Sequence, residues 1–189
     1  EIGMDDMPYY FEREQKPDMG FTPDASYGIC HCEKGHMGFE VHAKNDSAVV
    51  KSFEAGTVSN AVPFKAECAL VCSPQEVAKL QAQAAKSKGM FEVAPTQEGC
   101  TVLCHGKAAH AASPEDGVNA AAHLVELLCK VFKKDQLGSF FRFIHEKIGL
   151  CTDGEKIGVK MSDEPSGPLT FNPTLVRVFA ERLNLKEAD

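Results

Sequence analysis

One short stretch of this 189-residue chain brings chemically useful residue types close together. Gly106 opens a turn, His110 follows four positions on, and Ser113-Pro114-Glu115 reads as a helix start. Proline suits the first helical position and serine the cap before it. A helix N-terminus carries partial positive charge and unpaired backbone N–H donors, so an imidazole beside it can help to bind an anionic oxygen. A second stretch, Cys30-His31-Cys32 with His36, has the residue types of a metal site. Its spacing argues against a zinc knuckle, which needs two to four residues between cysteines, and on a strand His31 faces away from both thiols. His105 and His123 read as structural, and Lys130, Lys133 and Lys134 as the solvated end of a helix.

The elements that must position His110 are legible as hydrophobic periodicity. Strand patterns occupy residues 38–43, 48–54, 64–72, 90–93 and 100–104, with Asn45-Asp46 as a hairpin turn between the first two. Ser73-Pro74-Gln75-Glu76 is a capping box, and the helix it opens buries Val77, Leu80 and Ala84 before stopping at Gly89. A second helix from Ser113 places Val118, Ala121, Val125, Leu128 and Phe132 at helical spacing. A third covers residues 138–149, and further strands are expected near 157–161 and 174–180. At the start, residues 1–16 read as a helix with Met4, Met7 and Phe11 on one side, limited by Pro8, ahead of a turn-rich stretch to residue 28. This order predicts an α+β fold, an antiparallel sheet with helices on one face.

Composition narrows the function classes. Hydrophobic residues make up 43% and charged residues 25%, which is globular. A net charge of -7 argues against nucleic acid or an anionic membrane as partner. No apolar run approaches the roughly 20 residues of a membrane span, and no signal peptide is visible. Of the eight cysteines, Cys68, Cys72, Cys100, Cys104 and Cys129 fall in apolar strand and helix patterns rather than a disulfide framework, the usage expected of a reduced, cytoplasmic protein. The chain begins at Glu1 rather than methionine, so a natural start upstream is expected.

Read in order, the motifs resemble the PepV-like dipeptidases of the di-zinc aminoacylase/carboxypeptidase metallopeptidase family. Glu1-Ile2-Gly3, Gly20-Phe21-Thr22-Pro23-Asp24-Ala25 and Glu33-Lys34-Gly35 look like the end of that family's catalytic domain and the exit from it. Ser59-Asn60-Ala61-Val62-Pro63, the His110 turn, Gly117-Val118-Asn119-Ala120 and Leu169-Thr170-Phe171-Asn172 look like its lid. The resemblance implies residues 1–29 as the edge of a truncated catalytic domain. It implies residues 30–189 as a lid or dimerisation-type domain of ferredoxin-like arrangement, incomplete at its C-terminus. It also implies Glu1 and Asp24 as carboxylate ligands to two zinc ions, which activate water against a dipeptide or small-peptide carbonyl. His110 and Asn60 would then be the catalytic residues reaching from the lid to the developing oxyanion. The family's general-base glutamate should directly precede Glu1, and its remaining metal ligands have no counterpart in these residues. The chain alone is therefore expected to hold no zinc and to be inactive. Two other readings stand beside this one: a lid-derived binding or dimerisation module, self-associating through an exposed sheet edge, and a related deacylase or desuccinylase.

Overall fold

The computed structural model of the chain describes residues 6–20, 28 and 34–179. Two compact units divide it, Glu1–Gly35 and His36–Asp189. In the first, among the described residues, one short helix α1 (Asp6–Phe11) is exposed throughout and carries Pro8 in its first turn, where proline costs no hydrogen bond. The Arg13 guanidinium lies 3.7 Å from the centre of the Tyr9 ring, a cation–π contact. The predicted helix over 1–16 is thus realised, among the described residues, as six.

The second unit is built on a five-stranded sheet of order β3-β4-β2-β1-β7, every adjacent pair antiparallel. Its strands are β1 (Val50–Ala55), β2 (Lys65–Val71), β3 (Phe91–Pro95), β4 (Gly99–His105) and β7 (Val176–Val178). The longest ladder joins β2 to β4, from Lys65 opposite His105 to Val71 opposite Gly99. Alternate residues point to the covered face: Phe53 and Ala55; Ala66, Cys68 and Leu70; Cys100, Val102 and Cys104; Val176 and Val178 are all buried. Helices α2 (Pro74–Ala84), α3 (Ala120–Val131) and α4 (Lys134–Phe143) complete that core with Leu80, Leu124, Leu128, Leu137 and Phe141. Phe53 and Phe141 meet with ring centres 5.4 Å apart. The predicted α+β fold, an antiparallel sheet with helices, is the one observed. In β2-α2-β3-β4-α3 it follows the ferredoxin-like path, while the position beside β2 is held by β1, which precedes the motif. A two-stranded ladder, β5 (Ser162–Asp163) with β6 (Gly167–Pro168), stands apart from the sheet.

Three local expectations are revised. Residues 38–43 form no strand, because both edges of β1 are already taken, by β2 and by β7. The Asn45-Asp46 turn accordingly joins no hairpin. Both Asp46 carboxylate oxygens accept from the Ser139 N–H, at 2.8 and 3.0 Å, and hydrogen bonding from Ser139, its side chain first and then its backbone, holds the carboxyl below the usual range. These bonds compensate a break in α4 at Gly138, whose φ of +81° is a left-handed conformation natural only to glycine. The Ile144–Ile148 segment then continues α4 as a wider π turn. Finally, the second predicted helix does not start at Ser113. Pro114–Asp116 is an isolated 3-10 turn, Gly117 and Val118 are extended, and α3 begins behind Asn119.

Candidate functional site

His110 stands on a loop whose closure the sequence encodes at both ends. Lys107 and Val118 exchange backbone hydrogen bonds of 3.0 and 2.9 Å, pinching the loop shut. Gly106 is required for that closure, since a Cβ there would lie 2.1 Å from the Val118 carbonyl oxygen. Between the two ends the chain runs past a second loop, residues 58–63. Val62 N–H donates to Ala109 O and Ala111 N–H to Asn60 O, each at 2.9 Å, and Ala61 and His110 sit opposite each other as an isolated antiparallel bridge. Val62 and Pro63 are buried and anchor the pair, while Asn60 and His110 remain exposed. Fifty residues separate the two in sequence, and the backbone pairing brings their loops together with both residues exposed.

The His110 ring is oriented from below. Its Nδ1 lies 3.2 Å from the Ala112 N–H and accepts that hydrogen bond. In the neutral imidazole the proton therefore sits on Nε2, which leaves an N–H donor available to an incoming oxygen. The positive end of a long helix, expected behind His110, is not what faces it: the adjoining Pro114–Asp116 turn has only three residues, and Ser113 makes no side-chain cap. The His110 ring thus offers its own donor, with no long helix starting behind it.

Helix α3 supports the site indirectly. The Asn119 Oδ1 accepts from the Ala122 N–H at 3.1 Å, a regular N-cap, and the first helical N–H, from Ala120, donates to Pro63 O at 2.8 Å. The Asn119 Nδ2 donates both to Asn172 Oδ1 (2.7 Å) and to Pro173 O (2.9 Å). This asparagine pair lies 53 positions apart and was not singled out by sequence reasoning as a contact. The signal available was two motifs each containing an asparagine, at 117–120 and 169–172.

Glu1 and Asp24, the residues expected to bind zinc, lie outside the described residues, as do Cys30, His31 and Cys32. Among the described residues no three His, Cys, Asp or Glu side chains are grouped to hold a metal ion. Six described cysteines are free thiols, and burial pushes those of Cys100 and Cys104 up to about 12, so they are inert core residues rather than nucleophiles. No described helix is long and apolar enough to cross a membrane.

No family model matches the chain. It is 32% identical over 178 residues to the Bacillus subtilis protein named "Putative dipeptidase YtjP", covering 89% of this chain. It is 29% identical over 182 residues to the Beta-Ala-Xaa dipeptidase of Lactobacillus delbrueckii subsp. lactis, covering 92%. The chain is similar to dipeptidases. A Staphylococcus saprophyticus protein, also named as a dipeptidase, matches at 29% over 178 residues. The chain spans 38% of the length of each of these three relatives.

Proposed function

We propose that these residues form the lid of a zinc-dependent dipeptidase, with Asn60 and His110 meeting the oxyanion that develops when water attacks a peptide carbonyl. The observation that carries the reading is the backbone pairing of residues 60–62 with 109–111, which makes the two exposed residues near neighbours in the fold. The similarity to dipeptidases over most of the chain supports the reaction class. An exposed Nε2–H and a carboxamide are neutral donors that gain strength as charge builds on oxygen and water is excluded by closure. The zinc belongs to the same reading: Glu1 and Asp24 would supply two carboxylate ligands in a longer polypeptide, and the metal would there activate the attacking water. The described residues make no metal site, so no step is assigned to it here. The isolated chain is taken to be inactive, and the parent cytoplasmic.

The test begins with the intact mass of the native polypeptide that contains these residues. A longer species that hydrolyses dipeptides, and loses about 10²- to 10³-fold in kcat on His110→Ala with little change in KM, fits the proposal. Unchanged kcat in that variant refutes the role of His110. A native species of this length that binds a partner and cleaves nothing refutes the peptidase reading altogether.

A further inference from the structure

A second feature of the 36–189 unit does not rest on peptide hydrolysis. Cys72 and Cys100 lie 28 positions apart, and their sulfurs stand 4.0 Å from each other. The ladder between β2 and β4 explains the meeting. Leu70 is opposite Cys100 and Val71 opposite Gly99, and the Cys72 N–H carries the pairing one step further by donating to Glu98 O at 3.1 Å. Side chains alternate along an extended chain, so Cys72 follows Cys68 and Leu70 onto the face that Cys100 also occupies.

Diagonal neighbours of this kind are ordinarily too far apart to be bridged. Gly99 shortens the gap. A Cβ there would lie 2.3 Å from the Leu70 carbonyl oxygen and 2.7 Å from the Cys72 nitrogen, so the two backbones run very close at this point. Bringing the sulfurs to the ~2.05 Å of a disulfide asks for about 2 Å of approach, which rotation about the two Cα–Cβ bonds can supply.

The two thiols are unequally placed. Cys72 is partly exposed, while Cys100 is 1% exposed. Burial raises both thiols, Cys100 to about 12, but at Cys72 the hydrogen bond from Cys100 opposes that rise. Cys72 is therefore the sulfur that a small solute meets first. Cys100 is sealed from solutes and inert toward them, yet the Cys72 sulfur stands beside it. Cys68 is fully buried and turns its thiol to the Ala69 carbonyl. Among the described residues no third ligand joins the pair into a metal site.

We propose that Cys72 and Cys100 are an oxidative modification site, a thiol pair that a hydroperoxide closes to a disulfide. The Cys72 thiolate attacks the peroxide, the O–O bond breaks, and hydroxide leaves to take up the thiol's proton as water. The Cys100 sulfur then attacks the Cys72 sulfenic acid. The S–O bond breaks, and the departing hydroxide takes the Cys100 proton. Two thiols and one hydrogen peroxide thus give one disulfide and two water molecules. The bond ties the residue before the Ser73 cap to β4 and encloses α2 and β3 in one covalent loop.

The test treats the reduced 189-residue chain with hydrogen peroxide while its far-ultraviolet circular dichroism is unchanged. The product is then denatured in an alkylating agent and digested without reductant. Mass spectrometry should find Cys72 joined to Cys100 as the main linkage of either residue, reversed by dithiothreitol. In Cys72→Ser, Cys100 should survive as an alkylatable thiol. In Cys100→Ser, Cys72 should be trapped by dimedone as the sulfenic acid. The wild-type map decides the matter even if a variant does not fold. The assignment is overturned if neither cysteine reacts in the folded chain, or if Cys72 passes to the sulfinic acid with Cys100 still a thiol. A main linkage of either residue to any other cysteine overturns it as well.

Discussion

Replacing Asn119 by alanine removes three hydrogen bonds at one stroke. The N-cap bond to the Ala122 N–H is lost, which costs about 1 kcal/mol. Asn172 Oδ1 and Pro173 O also lose their donor. Abandoned buried acceptors cost about 1–3 kcal/mol each, and since both residues are only partly buried the lower end applies. The sum is about 3 kcal/mol, a large part of the ~5–15 kcal/mol that stabilises an ordinary domain. Urea denaturation followed by far-ultraviolet circular dichroism reads this directly, provided that the m-value is unchanged. Asn119→Ser separates the contributions, because serine is an equally good cap but cannot reach across to Asn172. Its cost should be about 2 kcal/mol, the cross-link alone. A loss below about 0.5 kcal/mol for Asn119→Ala would mark it as an ordinary surface asparagine. No loss for serine beside a loss of about 1 kcal/mol for alanine would show that only the cap matters. Either result refutes the account of α3 as tied to the 172–173 segment.

Two further outcomes follow from the same geometry. Gly106→Ala should destabilise by about 2–4 kcal/mol, because its Cβ would meet the Val118 carbonyl at 2.1 Å and force apart the Lys107–Val118 pair; a thermal melt checks this, and an unchanged midpoint would rule out the close approach. His123 is held below its ordinary 6.5 by burial, with Lys130 acting in the same sense and Glu126 against it. The unfolded chain therefore takes up this proton first as pH falls through about 6.5, and stability drops with acidification until the folded state also protonates. His123→Gln should flatten that part of the pH dependence of the melting midpoint between pH 7 and 5.5, and an identical slope in the variant would contradict it.

Sheet and helices were readable because they rest on local signals. The Ser73–Glu76 capping box forms as written, with Ser73 Oγ accepting from the Glu76 N–H and Glu76 reaching back to the Ser73 N–H. Val77, Leu80 and Ala84 are the buried face of α2, and Gly89 follows its end with a left-handed φ. Misreadings occurred where a long-range partner decides. Residues 38–43 have a strand-like pattern, but β7, more than 120 positions further on, occupies the edge they would need. Ser113-Pro114 has the composition of a helix start, yet Gly117 and Val118 are drawn extended by Lys107, and the cap passes to Asn119. For the site, motif order named Asn60 and His110 but not their backbone pairing, since no local pattern encodes which loop will lie beside which. The Asn119–Asn172 link was hidden for the same reason.

The bonds around the two loops have a mechanical consequence. Gly106 N–H is fixed to Phe64 O, Ala109 O to Val62 N–H, and Ala120 N–H to Pro63 O, so three separate ties join residues 62–64 to the His110 loop and to α3. Asn60 and His110 therefore cannot drift apart without unfolding part of the sheet's rim. They travel as one rigid jaw. In the proposed dipeptidase, regulation of chemistry that needs both groups would operate through how far this jaw stands from the rest of the enzyme, because the spacing of the two loops is set when the chain folds.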